Sequence, residues 1–116
     1  MPDRLFFGDA WLGEVEPVDA DFPNLFGTFR PSDATDHPEI RRRIGEYAAY
    51  SIAADALMGT DPDAWEAFVA EHEAAFLDLI ESPDWWLEDD RGERSAILVP
   101  LFGEDSSLVW RWAPDR

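Results

Sequence analysis

Cysteine is absent from this 116-residue chain, and so is lysine: all nine basic residues are arginine. The first absence excludes disulfides, thiolate chemistry and cysteine-ligated zinc. Long apolar runs are missing as well. The longest, AILVPLF, falls far short of the roughly 20 residues that span a bilayer. The opening MPDRLFFGDAW carries charges where a secretory signal needs its apolar stretch. There is no G-x-S-x-G elbow, no glycine-rich phosphate loop and no nucleophilic thiol. These absences lead us to expect a cytoplasmic protein that is not an enzyme, holds no cofactor and does not associate with a membrane.

Acid is what the chain has in excess. Twenty-six acidic residues against nine basic ones leave a formal net charge of −17. Such a surface repels nucleic-acid phosphates and attracts cations, so direct nucleic-acid binding is not expected and a basic protein partner is. The same charge also serves solubility, or life in a salty cytoplasm. Hydrophobic residues make up 46% and aromatics 14%, enough for one core in a chain of this size. A single domain over residues 1–116 follows.

Hydrophobic periodicity suggests three strands, two helices and three more strands. RLFF, AWLGEVEP and LFGTFRP are the first strands, with a Gly8-Asp9 turn and the loop VDADFPN between them. Pro17, Pro23 and Pro31 bracket these strands. A helix starts at Pro38, with Thr35, Asp36 or His37 placed to cap it, and ends at Gly59. Its stripe is Ile40, Ile44, Tyr47, Ser51, Ala54 and Met58. A second helix, capped by Thr60 or Asp61, carries Trp65, Phe68, Val69, His72, Phe76, Leu79 and Ile80 at helical spacing and stops at Ser82-Pro83. So short a connection makes an antiparallel helical hairpin. DWWLED, RSAILVPLF and SLVWRWA are the closing strands. The expected fold is α+β: an antiparallel sheet of order β-β-β-α-α-β-β-β, with the helical hairpin packed on one face.

Alternation assigns the faces. Trp85 and Leu87, with Leu108, Trp110 and Trp112, form the core row. Trp86 and Glu88 point the other way, as do Val109 and Arg111. The strand RSAILVPLF is apolar on both sides and should be covered on both. Helices cover one face. The other then exposes an apolar patch around Trp86 that suits an interface, unless the sheet curls on itself or the N-terminal strands cover it.

HEAAF at 72–76 has phenylalanine where a zinc-protease helix needs its second histidine, so His72 reads as a core histidine. The carboxylate clusters at Asp19/Asp21, Asp61/Asp63/Glu66 and Glu88–Glu93 lack the calcium-loop pattern, and no metal is expected. The basic run Arg41-Arg42-Arg43 has Arg43 four residues from Glu39 and Arg42 four from Glu46, spacing that suits intrahelical pairs.

The stretch DFPNLFGTFRP, with the closing ILVPLF…LVWRW, resembles short bacterial proteins of no assigned activity. In size and composition the chain is also similar to the immunity proteins that neutralise cognate toxins. That resemblance implies a small module acting by contact on a basic protein. The candidate contact residues are Trp86, Glu88, Asp89, Asp90 and Arg111, because aromatic and arginine side chains anchor interfaces while acids steer encounter. Two alternatives stand beside it: a structural homodimer, and a small-molecule binder or hydrolase with a pocket between helices and sheet that uses His72.

Overall fold

The computed structural model describes residues 2–114. β1 (Asp3–Phe7) and β2 (Ala10–Asp21) are joined by the Gly8-Asp9 turn, with Gly8 at φ 59, where a side chain is disfavoured. The sequence places the end of the second strand at Pro17, yet β2 runs through it to Asp21. The ladder to β3 (Asn24–Pro31) bulges between Pro17 and Asp19, and a bulge is where a sheet tolerates proline. Segment 18–24, expected as a loop, is therefore the end of a long hairpin that turns over Phe22-Pro23, with Asp21 opposite Asn24. β1 accompanies β2 only as far as Val15, so on that side the hairpin end stands clear as an arm.

α1 (Pro38–Thr60) begins at its proline, as expected. His37 occupies the cap position at φ 53 without a side-chain capping bond, and Asp36 instead holds Arg41 at 2.6 Å. The helix passes through Gly59 and stops at Asp61, so Gly59 is not the left-handed terminator. Asp61 closes α1 with its N–H and caps α2 (Pro62–His72) with its carboxylate, which accepts from the Ala64 N–H at 3.1 Å. The expected continuous second helix breaks into a 3₁₀ turn (Glu73–Phe76) and a short α3 (Leu77–Ile80). The break re-aims the stripe: α2 buries no residue, whereas Leu79 is buried and its carbonyl accepts the Trp85 indole N–H at 2.8 Å. Ring contacts of Tyr50 with Phe68 on α2 and of Tyr47 with Phe76 on the 3₁₀ turn hold the two limbs of the helical hairpin together.

β4 (Trp85–Glu88), β5 (Arg94–Ala96), β6 (Leu101–Phe102) and β7 (Ser107–Trp110) complete an antiparallel sheet of order β5-β4-β1-β2-β3-β7-β6. The run RSAILVPLF, expected as one strand, divides at Val99-Pro100 into β5 and β6. These two pieces occupy opposite ends of the sheet order although only four residues separate them. The sheet must therefore curl until its edges meet, and they meet at Ile97. Its N–H donates to the Trp85 carbonyl at 3.1 Å, while Leu98 N–H reaches Arg111 and Ala113 N–H reaches Ala96, both at 3.0 Å. One chain segment closes the sheet and removes both free edges.

The fold is thus α+β, an antiparallel sheet with a helical hairpin against its inner side. Leu5, Val15, Trp85, Ile97 and Leu108 are fully buried, and Leu87 and Trp110 join them. Trp112, expected in this row, lies beyond the end of β7 and is 47% exposed. Inward alternation also slips at Pro100, so that Ile97 and Phe102 face the core and Leu101 is 56% exposed. Gly27 is required by close approach: a Cβ there would lie 2.6 Å from the Glu16 carbonyl oxygen and 3.1 Å from the Trp110 ring.

α1 is stitched to the closing segment by buried hydrogen bonds. The Tyr47 hydroxyl donates to the Pro100 carbonyl at 2.8 Å. Ser51 Oγ donates to the Phe102 carbonyl at 2.8 Å and accepts the Phe102 N–H at 2.9 Å. Removing that hydroxyl leaves two buried backbone groups unpaired. Ser51→Ala is expected to destabilise the fold by about 2 kcal/mol in urea unfolding, and a change under about 0.5 kcal/mol would contradict the assignment. Burial raises the Tyr47 hydroxyl's pKa well above its ordinary value. A group raised in the folded state gives its full stability below the unfolded pKa of about 10 and loses it as pH rises beyond. Stability should therefore begin to fall as pH passes about 10 and go on falling above it, and Tyr47→Phe, though less stable at neutral pH, should show a flatter decline. Parallel declines in the two proteins would refute the role of this hydroxyl.

Candidate functional site

The outer side of the sheet differs from the open apolar patch that alternation suggests. Register aligns Arg30, Glu14, Arg4, Glu88 and Arg94 across β3, β2, β1, β4 and β5, a row of alternating charge. Arg30 bonds Glu14 at 2.6 Å, and Glu88 takes Arg4 at 3.4 Å and Arg94 at 3.3 Å. The adjacent row is Trp11, Phe6, Trp86 and Ala96. Arg94 lies over the Phe6 ring at 4.1 Å and leaves it only 9% exposed. Charged side chains laid along the aromatic row cover what the sequence pattern alone leaves bare.

The five predicted contact residues fall into two groups. Trp86 is half-buried in its row. Arg111 lies on the same side, separated from Trp86 by the single segment 96–98, and its Nε donates to Asn24 Oδ1 at 2.8 Å. Glu88, Asp89 and Asp90 lie toward the other end of β4. The Glu88 carboxylate is committed to its two arginines, with the side chain 17% exposed. Asp89 builds the turn, accepting the Glu93 and Arg91 N–H groups at 2.9 Å each. Those bonds, with the Arg91 guanidinium, hold its carboxyl below the ordinary range. Asp90 is exposed. Partial burial, and then the charges of Asp89 and Asp90, push the Asp3 carboxyl upward.

Other expectations are redrawn by packing. His72 is not a core histidine: it is 44% exposed by side chain, 4.5 Å ring to ring from Phe68 and 3.8 Å from Glu71. The cause is that α2 packs only along its edge. Arg42 bonds Glu46 at 3.2 Å, as spacing predicts, and also Glu39 at 3.0 Å. Arg43 turns from Glu39 to Asp78 at 2.7 Å and the Ala75 carbonyl at 3.0 Å, while Arg41 reaches the Trp11 carbonyl at 2.6 Å. The basic run therefore tethers α1 to its neighbours. Among the described residues no three His, Asp or Glu side chains converge as metal ligands.

Two further features stand out: an arm that residue patterns did not single out, and a pocket between helices and sheet, which was anticipated but whose walls do not include His72. The first is the β2–β3 arm. Phe22 at its tip is 86% exposed and Val18 is 68% exposed, with Asp19 and Asp21 between them. The segment VDADFPN carries these residues openly, but without the hairpin they read as a loop. The second is a groove of about 370 Å³ between α1, α2 and the β6–β7 pair, walled by Tyr50, Met58, Trp65, Val69, Leu101 and Val109. Leu101 and Val109 are paired across β6 and β7 and face away from the core. Among the described residues Asp55 and Glu73 are the only charged ones along it. The Tyr50 ring stacks on Phe76 at 5.1 Å and Phe68 at 5.7 Å, and burial, with Glu73 nearby, raises its hydroxyl's pKa. Leu101 was hidden by the parity slip at Pro100. Met58 and Trp65, at the facing ends of their helical stripes, were the available hint.

No family model matches the chain, and no curated protein or solved structure is significantly similar to it, so its own surfaces carry the functional reading.

Proposed function

We propose that this protein is an acidic binding module that neutralises or regulates a basic protein partner, which it holds through the β2–β3 arm. The observation that carries this reading is the tip of that arm: an aromatic ring 86% exposed, next to the Asp19 and Asp21 carboxylates on a hairpin that stands clear of β1. Burial of one aromatic anchor supplies a large share of holding energy at an interface. A formal charge of −17 speeds encounter with a cationic surface.

The turn end of the arm is joined to the predicted contact residues. Asn24 is bonded to Arg111, and Arg111 is one strand segment away from Trp86 on the same side of the sheet. Trp86 and Arg111 therefore extend the contact begun by Phe22. Glu88 and Asp89, whose carboxylates are already bonded, add to the field, and Asp90 is free to face the partner. This is the mode of action that the likeness to immunity proteins suggests.

The test begins by capturing partners from lysate of the source organism and purifying the basic protein retained. That protein is then titrated against the native chain and Phe22→Ala at two salt concentrations. Because Phe22 is almost wholly exposed, the variant should unfold at the native urea midpoint. Its affinity should fall by on the order of 2 kcal/mol, and both proteins should bind more weakly at high salt. Unchanged affinity in the variant, or retention of nothing but further copies of the chain, would contradict the reading.

A further inference from the structure

We propose that the groove between α1, α2 and the β6–β7 pair is a binding site for a small organic cation: an amine carried on an apolar body about the size of an aromatic bicycle. The site is separate from the arm and does not depend on it.

The groove has the character of a ligand site. Its volume of about 370 Å³ lies at the lower end of the range of roughly 300–1,000 Å³ that small-molecule pockets occupy. Its walls are apolar or aromatic, and the few polar groups lie on it as discrete points, which is the pattern that buries a ligand body and fixes its orientation. The walls come from three elements held by independent means. α1 is fixed by the Tyr47 and Ser51 bonds to 100–102. α2 is fixed to α1 by the Tyr50 stack on Phe68 and Phe76. β6 is fixed to β7 by the pairing of Leu101 with Val109 and of Phe102 with Leu108. A groove held in this way is formed before any ligand arrives.

The charge selects the ligand's sign. Asp55 and Glu73 line the groove, and among the described residues no arginine or histidine does. Neither carboxylate is in an ion pair among the described residues, whereas Glu14, Glu46, Glu88 and Asp78 all are. Asp55 Oδ2 accepts only a long bond from the Glu104 N–H, 3.4 Å. An ammonium group near these oxygens would gain charge-assisted hydrogen bonds, and Trp65 in the wall is an aromatic ring of the kind that attracts a cation or stacks on an aromatic body. An anion of the same shape would meet two carboxylates and no counter-charge. The residues fit a cation with an apolar body, and neither half of that description alone uses what the groove offers.

The sequence gives these residues no common motif. Asp55 and Met58 stand on α1, Trp65 and Val69 on α2, Glu73 in the 3₁₀ turn and Leu101 on β6. Only closure of the sheet by 94–102 carries Leu101 and Val109 to the helices. The site is therefore a product of the fold and not of a local signature.

The test uses one indole scaffold with three charges: tryptamine as the cation, tryptophol as the neutral form and indole-3-acetate as the anion. Ethylamine serves as a cation without a body. Each is titrated into the full chain by calorimetry and by amide chemical-shift mapping. Tryptamine should bind saturably, shift amides of 50–58, 65–73 and 101–109, and bind at least tenfold more tightly than tryptophol or ethylamine. Indole-3-acetate should be weakest. Glu73→Gln, at an exposed position where folding is not at stake, should lower the tryptamine-to-tryptophol ratio at least threefold, and the double variant with Asp55→Asn should bring it close to one. Equal binding of the three indoles, shifts confined to other surfaces, or no saturation at millimolar tryptamine would overturn the proposal. So would a groove filled by a second copy's Phe22, revealed as a native oligomer that Phe22→Ala dissociates and that alone prevents tryptamine binding.

Discussion

One segment, residues 94–102, belongs to both edges of the sheet, and the rest of the molecule is arranged around that constraint. A chain paired on one side with β4 and on the other with β7 cannot lie in an open sheet. Proline at position 100 makes the switch possible. It has no N–H to leave unpaired, and its carbonyl is free to accept the Tyr47 hydroxyl. The slip in alternation at the same point turns Phe102 inward beside Ser51 and Leu101 outward beside the helices. Closure, docking of α1 and formation of the groove are thus three consequences of one local change in pairing.

Closure also explains where the protein can bind and where it cannot. An edge strand would have offered backbone groups to a partner, and the closed sheet withholds them except along the arm, where β2 runs on past β1. The outer surface around Trp86 is crossed by a row of paired charges, so the acids there are spoken for by Arg4, Arg30 and Arg94. With only nine arginines for 26 acids, the pairing cannot extend to the whole surface. The surplus is spread over the rest of the surface, and it includes Asp19 and Asp21 on the arm, Asp90, and Asp55 and Glu73 along the groove. Exposed apolar side chains occur in two of these places, Phe22 on the arm and Met58 and Leu101 at the groove. Carboxylates beside apolar surface favour ligands that are both cationic and apolar, and the arm and the groove present that combination at two different scales.

Much of the architecture was legible from periodicity and turn chemistry. Gly8, Pro38 and the Asp61-Pro62 pair mark element boundaries by local backbone rules, and those rules act within a few residues. Burial of Trp85, Leu87, Leu108 and Trp110 followed from strand alternation. What failed were inferences that depend on distant partners. Pro17 stops a strand only if the ladder cannot bulge, and Gly59 ends a helix only if Asp61 does not do so two residues later. His72 is buried only if α2 packs on its full stripe. RSAILVPLF reads as one strand because alternation cannot reveal that its two halves pair with different neighbours. Of the predicted contact residues, Trp86 and Arg111 flank the closing segment on either side, although 24 positions lie between them in the sequence; no rule of spacing connects them. A pocket between helices and sheet was anticipated, but its lining was beyond reach for the same reason: its walls are assembled by that closure, and His72 is not among them.

The most direct test of this account is native-state hydrogen exchange at the Ile97 and Leu98 amides, one bonded to each side of the closing segment. If the sheet is closed there, both amides should exchange only through global unfolding, with protection equal to that of Leu5 and Val15 in the core and decreasing in step with theirs as urea is added. If either amide instead exchanges through local opening, at a rate insensitive to urea and far above that of the core, the segment is a frayed edge. The closure and the groove that depends on it would then both be wrong.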